Sequence, residues 1–141
     1  MSSRMDQTMK KVLVLGSSGF IGSNLVKRLM DQGHYVWGMD IEPPKYIRPT
    51  NFWQIDLRDP GSIYYFRHVH PNLEFDEVYQ LAADMGGAGY IFTGDNDADV
   101  MHNSALINLN VAKYATEAKV KKLFYSSSVC AYSVEQVRQK I

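Results

Sequence analysis

Two hydrophobic patterns take turns along the chain: short β-branched runs, and longer stretches with helical spacing. Lys11 to Gly16 (KVLVLG) is a short apolar run closed by glycine, which predicts a buried strand. From Phe20 to Gln32 the spacing becomes helical. Ile21, Leu25 and Leu29 share a face with Val26 and Met30, Lys27, Arg28 and Asp31 point away, and Gly33 is a natural stop. Further strands are predicted over His34 to Asp40 (HYVWGMD), Phe52 to Asp56, Asp76 to Ala83 (DEVYQLAA) and Lys121 to Ser127 (KKLFYSS). Pro43, Pro44 and Pro49 make Glu42 to Asn51 a loop. Asp59 as cap and Pro60 in the first turn open a helix that runs through Ile63 and Phe66 to about Val69. A glycine-rich loop (Gly86, Gly87, Gly89, Gly94) precedes a long helix from about Asn96 to Lys119. Its Met101, Ala105, Asn108, Ala112 and Ala115 lie near one face, with Leu106, Leu109 and Tyr114 beside it. In the tail, Val134, Val137 and Ile141 have the spacing of one helical stripe.

Strands alternating with helices over the whole length predict an α/β fold with a parallel sheet covered on both faces. Right-handed crossovers make it doubly wound, with five strands in spatial order 3-2-1-4-5. Composition narrows the class. With 141 residues, 45% hydrophobic and 21% charged, the chain has enough apolar material for one domain with a core. Lys plus Arg and Asp plus Glu are 15 each, so no broad attraction to nucleic acid or an anionic membrane is expected. A single cysteine, Cys130, excludes an internal disulfide and fits a reducing cytoplasmic setting. No apolar run approaches the roughly 20 residues that span a bilayer. The organisation expected is a polar leader over residues 1–10, a nucleotide-binding domain over 11–132 and a tail over 133–141.

The candidate chemistry sits between the first strand and the first helix. Gly16-Ser17-Ser18-Gly19-Phe20-Ile21-Gly22 is a G-x-x-G-x-x-G turn in the context that suits a dinucleotide. Gly16 permits the tight turn, Gly19 lets backbone approach a pyrophosphate, and Gly22 lets the helix pack on the sheet. Unpaired N–H groups at the helix start, including those beside Ser18, Phe20 and Ile21, would face the anion. Asp40 ends the second strand, 18 residues beyond Gly22. A carboxylate there accepts hydrogen bonds from ribose hydroxyls and repels a 2′-phosphate, and no arginine follows it directly, so NAD is favoured over NADP. Asp56-Leu57 ends the third strand on the same edge and either borders the adenine or serves the loop. The four histidines show no metal-ligand spacing with Cys130, and His68 and His70 suit a capping or solvent role at a helix end. Trp37 and Trp53 read as packing.

Taken with these, Leu81-Ala82-Ala83 and Ser126-Ser127-Ser128 make the chain resemble the extended short-chain dehydrogenase/reductase family. Within it, Leu81-Ala82-Ala83-Asp84-Met85-Gly86-Gly87 and Phe124 to Tyr132 (FYSSSVCAY) resemble the GDP-mannose 3,5-epimerase-like nucleotide-sugar epimerases, over roughly residues 11–132. The resemblance implies an NAD-binding Rossmann domain followed by a smaller nucleotide-sugar domain. It implies a reaction of transient sugar oxidation by NAD, proton exchange next to the ketone and return of the hydride. It places Leu81, Ala82 and Ala83 along the cofactor, Gly86 and Gly87 beside the sugar, Ser128 on the reacting sugar oxygen and Cys130 as acid/base. The residues alone leave other readings open: serines that end a strand, and a cysteine acting as a small buried hydrophobe.

The family's Tyr-x-x-x-Lys is missing, since none of the nine tyrosines is followed by lysine four positions on. Ser133 also replaces a proline common in the family. The expectation is therefore the N-terminal, cofactor-binding part of such an epimerase, its sheet cut after about the fifth strand, without the sugar domain and inactive alone. An exposed edge would favour self-association, most simply as a homodimer. A non-catalytic NAD(H)-binding or dimerisation module, and a related dehydratase or decarboxylase, are the alternatives.

Overall fold

A computed structural model describes residues 8–84, 93–128, 133 and 135. The elements run β1 (Lys11–Leu15), α1 (Phe20–Asp31), β2 (Tyr35–Asp40), β3 (Asn51–Gln54), α2 (Pro60–Val69), β4 (Glu77–Gln80), α3 (Asp97–Glu117) and β5 (Lys122–Tyr125). All four strand pairings are parallel, in the order β3-β2-β1-β4-β5. This is the doubly wound sheet that the alternating pattern predicts.

β1 is central and buried on both faces, which is why it reads as an unbroken apolar run. Its alternate residues feed two cores. Leu13 and Leu15 join Met39, Val78, Phe66, Ile107 and Val111 on the side of α2 and α3. Val12 and Val14 join Val36, Val26 and Leu29 on the side of α1. Trp37 and Trp53 pack against the first of these cores, as the sequence suggests. The ring of His70 is held by the same aromatic group, edge-on to both indoles and 5.0 Å from Phe66. His70 does end α2, its backbone N–H donating to Phe66 O, but its side chain is packed rather than solvated.

Two helical faces differ from the periodicity. On α1 the buried positions are Gly22, Ser23, Val26 and Leu29, and Ile21 is exposed. The i, i+4, i+7 stripe begins at Gly22 because the helix start lies so close to the Gly16–Ser17 main chain that only a residue without a side chain fits there. On α3 the buried residues are Ile107, Val111, Tyr114 and Ala115, and Met101 and Leu109 face outward. Asn103, Ser104, Asn108 and Asn110 are half-buried, and of these the spacing places only Asn108 on the inner side. Ser104 and Asn110 bond loop backbone, and Asn103 and Asn108 bond side chains.

Strands β4 and β5 are also shorter than their apolar runs. The ladder on β4 stops where the chain turns away from β1, after Leu81 N–H donates to Leu15 O at 3.0 Å. β5 is an edge strand, and all four of its residues are exposed. Asp59 and Pro60 open α2 as expected, with the Asp59 carboxylate accepting from Gly61 N–H at 2.9 Å.

The β1–α1 turn depends on a bare helix start. Gly16 has φ +80, a left-handed conformation that suits glycine, and a Cβ on Gly22 would lie 2.0 Å from the Gly16 carbonyl oxygen. That oxygen is main chain and cannot swing aside. Gly22→Ala is therefore expected to lower stability by about 3 kcal/mol, the upper end for forcing atoms into a packed site. Denaturant unfolding of the ligand-free chain measures it, and an unchanged midpoint would contradict this packing.

Candidate functional site

The carboxyl ends of β1, β2, β3 and β4 open onto one cleft of about 390 Å³. Its walls include Gly16, Ser18, Gly19, Asp40, Asp56, Leu57, Leu81, Ala82 and Ala83, all named above from the sequence. Such a cleft at the strand ends is where open parallel sheets take ligands. Gly22 lies beneath the turn rather than in the wall. Phe20 and Ile21 expose their side chains, so only their backbone N–H groups can serve the cleft. Ser128 is described and exposed, whereas Gly86, Gly87 and Cys130 lie outside the described residues.

The helix start leaves its first backbone donors without a side-chain cap. α1 begins at Gly19 with no side-chain cap and no acidic residue in its first turn. Its first N–H groups therefore keep their capacity, and the positive end of the helix dipole is unopposed locally. The turn itself is tied down from beneath: the N–H groups of Gly16 and Ser17 both donate to Met39 O, at 2.8 and 3.3 Å. A Cβ on Gly19 would meet only Gly16 O at 3.5 Å, so open space lies in front of it. That space is what a pyrophosphate close to the backbone requires.

Asp40 is held at the far side of the turn. Its Oδ2 accepts from Ser18 N–H at 3.0 Å and its Oδ1 from Glu42 N–H at 2.9 Å. The Ser18 hydroxyl completes the lock by donating to Glu42 O at 2.8 Å. Each carboxylate oxygen retains a lone pair for a further donor, such as a sugar hydroxyl. The arrangement fits an adenosine ribose beside a pyrophosphate, and the residues present thus suit a dinucleotide.

Other residues of the cleft escape a reading of the sequence. Arg58 lines it and grips Asp56 through two nitrogens, Nε to Oδ1 at 2.9 Å and Nη2 to Oδ2 at 2.8 Å. These bonds hold the Asp56 carboxyl below its ordinary range. Lys45 and Asp84 also line the cleft. The polar residues of α3 bind its loops. Asn110 donates to both Leu57 O and Arg58 O, at 2.9 and 3.0 Å. Asn103 donates to the Asp84 carboxylate at 2.8 Å, and Asp84 N–H donates to the Ser104 hydroxyl at 3.3 Å. A signal is available, since polar residues recurring inside a helix that covers a sheet call for partners. The partners themselves are 17 or more residues away along the chain and leave no local pattern.

Residues 12–140 match the profile of the NAD dependent epimerase/dehydratase family. The chain belongs to this family. Its sequence is 32% identical over 126 residues to GDP-mannose 3,5-epimerase 1 of Oryza sativa subsp. indica, an overlap of 86% of this chain and 32% of the relative. GDP-mannose 3,5-epimerase of Arabidopsis thaliana is similar to the same extent, 32% identical over 126 residues with the same coverage. The chain thus spans about a third of the length of these curated relatives. Among solved structures it resembles the epimerase Mth375 of Methanothermobacter thermautotrophicus, with TM-score 0.72, 28% identity, and coverage of 89% of this chain and 38% of that one. It also resembles the Thermus thermophilus UDP-glucose 4-epimerase in complex with NAD, with TM-score 0.67, 25% identity, and coverage of 84% and 37%. The fold is accordingly that of the family's nucleotide-binding part, and the family's cofactor is NAD.

The Asp56–Arg58 pair has a testable pH signature. A carboxyl with a depressed folded-state pKa contributes stability above its unfolded value of about 3.9, and that contribution is lost as pH falls through the lower folded value. The pair is solvent-exposed, so the contribution is small. Carboxyl NMR titration is expected to place the Asp56 midpoint below about 3.9 and to return it toward that value in Arg58→Gln. A midpoint unaffected by the substitution would remove Arg58 as the cause.

Proposed function

We propose that this chain binds NAD in the cleft at the strand ends and forms the cofactor-binding part of a nucleotide-sugar epimerase of the GDP-mannose 3,5-epimerase kind. The observation that carries the proposal is the uncapped start of α1 at Gly19, open in front, with Asp40 locked beside it by Ser18. In this reading the N–H groups of Phe20, Ile21 and Gly22 hold the pyrophosphate. Asp40 accepts from the ribose hydroxyls and its charge disfavours a 2′-phosphate, which selects NAD over NADP. Asp56 and Leu57 border the adenine, and Leu81, Ala82 and Ala83 form the wall along the phosphates and second ribose. NAD, when bound, supplies reversible hydride acceptance.

The substrate side of the proposal rests on the sequence resemblance and on the curated relatives named GDP-mannose 3,5-epimerase. Gly86 and Gly87 lie beside the sugar, Ser128 holds the reacting sugar oxygen, and Cys130 exchanges a proton at a carbon next to the transient ketone. A thiol in that role needs a neighbour that lowers its pKa. The alternative reading is an NAD(H)-binding module without turnover. Self-association through the exposed β5 edge belongs to the same proposal, and light scattering reads it directly.

Thermal melting of the chain with NAD and with NADP tests the central claim. Ligand at 100 times its dissociation constant adds about 2.7 kcal/mol, a midpoint shift of several degrees for a domain of this size. The expected result is a shift with NAD and little with NADP. Gly19→Ala is expected to melt like the parent without ligand and to lose the NAD shift, because its methyl group occupies the pyrophosphate position. No shift with either nucleotide would overturn the reading. GDP-mannose added to the NAD-saturated chain, with UDP-glucose as comparison, separates sugar recognition from cofactor binding.

A further inference from the structure

The end of β4 poses a hydrogen-bonding problem. On one side, Leu81 N–H donates to Leu15 O at 3.0 Å, and on the other, Ser126 N–H donates to Gln80 O at 3.2 Å. Beyond these rungs the Ala82 main chain leaves the sheet without a strand neighbour. A side chain takes the neighbour's place. Ala82 N–H donates to Gln80 Oε1 at 3.3 Å, and Gln80 Nε2 donates back to Ala82 O at 2.7 Å. The second Nε2 proton goes to Asn108 Oδ1 at 3.0 Å, and Asn108 Nδ2 donates to the Tyr125 hydroxyl at 3.4 Å.

Gln80 is only 3% exposed, so its amide must be satisfied within the protein. It is satisfied in one orientation alone. Rotating the amide by half a turn would set oxygen against Ala82 O and Asn108 Oδ1, two acceptors, and nitrogen against the Ala82 N–H, a donor. The amide therefore determines where Ala82 sits. The position matters because Ala82 abuts the nucleotide turn: a Cβ on Gly16 would lie 2.9 Å from Ala82 N. Gly16 and Ala82 are opposing parts of the cleft wall.

We propose that Gln80 is a positioning residue for the cofactor, pinning the Ala82 main chain against Gly16 through an amide held in register by Asn108. This rests on the NAD reading above. Gln80 touches no ligand in this scheme and acts through the wall it places. Nothing in its neighbourhood in sequence distinguishes it from an ordinary polar residue in a strand.

The test compares three variants of the chain: Gln80→Met, which keeps length and removes the amide; Asn108→Ala, a milder change that removes only the anchor; and Val78→Ala, a buried change on the same strand that does not line the cleft. NAD affinity is measured at a temperature where each is folded, and backbone amide exchange is followed at Ala82 without ligand. Gln80→Met is expected to weaken NAD about tenfold, the scale of one buried hydrogen bond, and to speed Ala82 exchange. Asn108→Ala should move both readouts the same way by less, and Val78→Ala should lower the melting point without either effect. Parent-like NAD affinity in both Gln80→Met and Asn108→Ala overturns the proposal, as does an equal loss in Val78→Ala. Should the parent chain itself not bind NAD, the cofactor reading fails. Amide exchange then decides the clamp alone: unchanged Ala82 protection in Gln80→Met overturns it, and selective loss of protection supports it.

Discussion

Three stretches of backbone meet at Gly16, and the remainder of the site is arranged around that meeting. The first turn of α1 comes against its carbonyl at Gly22, the exit of β4 comes against its Cα at Ala82, and β2 accepts its N–H at Met39 O. No side chain separates these segments. The closeness is available only to glycine at two of the positions, since Gly16 is left-handed and Gly22 has no room for a methyl group. Its consequence is geometric. The uncapped helix start is thereby brought beside the cleft that Gly16, Ser18 and Gly19 line. The proposed anion site at the strand ends rests on that close packing together with the helix dipole.

The other walls of the cleft are loops, and loops need something to hold them. α3 supplies it. The helix covers one face of the sheet with Ile107, Val111 and Tyr114, while its polar residues reach the loops at the cleft rim. Asn110 holds the turn after β3, Asn108 holds Gln80 and through it the turn after β4, and Asn103 with Ser104 holds Asp84. Each polar group put into a part-buried place costs desolvation, and each is compensated by a hydrogen bond, to main chain for Ser104 and Asn110, to a carboxylate for Asn103 and to a side-chain amide for Asn108. The same residues that weaken α3 as an amphipathic helix make it a brace for both halves of the cleft. That double duty explains why the helix has a weak apolar stripe and is nonetheless well anchored.

How much of this is legible in the sequence depends on distance along the chain. The strand order, the G-x-x-G-x-x-G turn and Asp40 are legible, because they follow from local period, local turn chemistry and a short βαβ spacing. The inward face of α1 is misjudged by one position, since hydrophobicity favours Ile21 over Gly22 and a missing side chain carries no weight in such a count. The face of α3 is misjudged for the opposite reason, as its inner positions include asparagines whose partners are far away in sequence. Arg58 and Gln80 look like ordinary polar residues. Arg58 becomes part of the site only because the turn after β3 folds its guanidinium onto Asp56. The place of His70 at the end of α2 is legible, and its aromatic surroundings are not, because β2 and β3 must first bring the two tryptophans to it.

A site of this construction tolerates sequence change in a particular way. In the proposed reading its anion-binding groups are main-chain N–H groups, which every residue but proline supplies, and its shape is set by a few glycines and by side-chain amides that bind backbone. Substitution elsewhere alters the walls without moving the helix start. Low overall identity to the relatives is thus compatible with a closely shared fold, because the common requirement is the approach of backbones and not the identity of most side chains. What distinguishes one nucleotide from another must then be carried by the few side chains that do enter the cleft. In this chain the charged residues lining the cleft are Asp40, Glu42, Lys45, the Asp56–Arg58 pair, and Asp84, which Asn103 holds. Charge at these points is the lever by which such a cleft is specialised, while the phosphate-binding part has little freedom to vary.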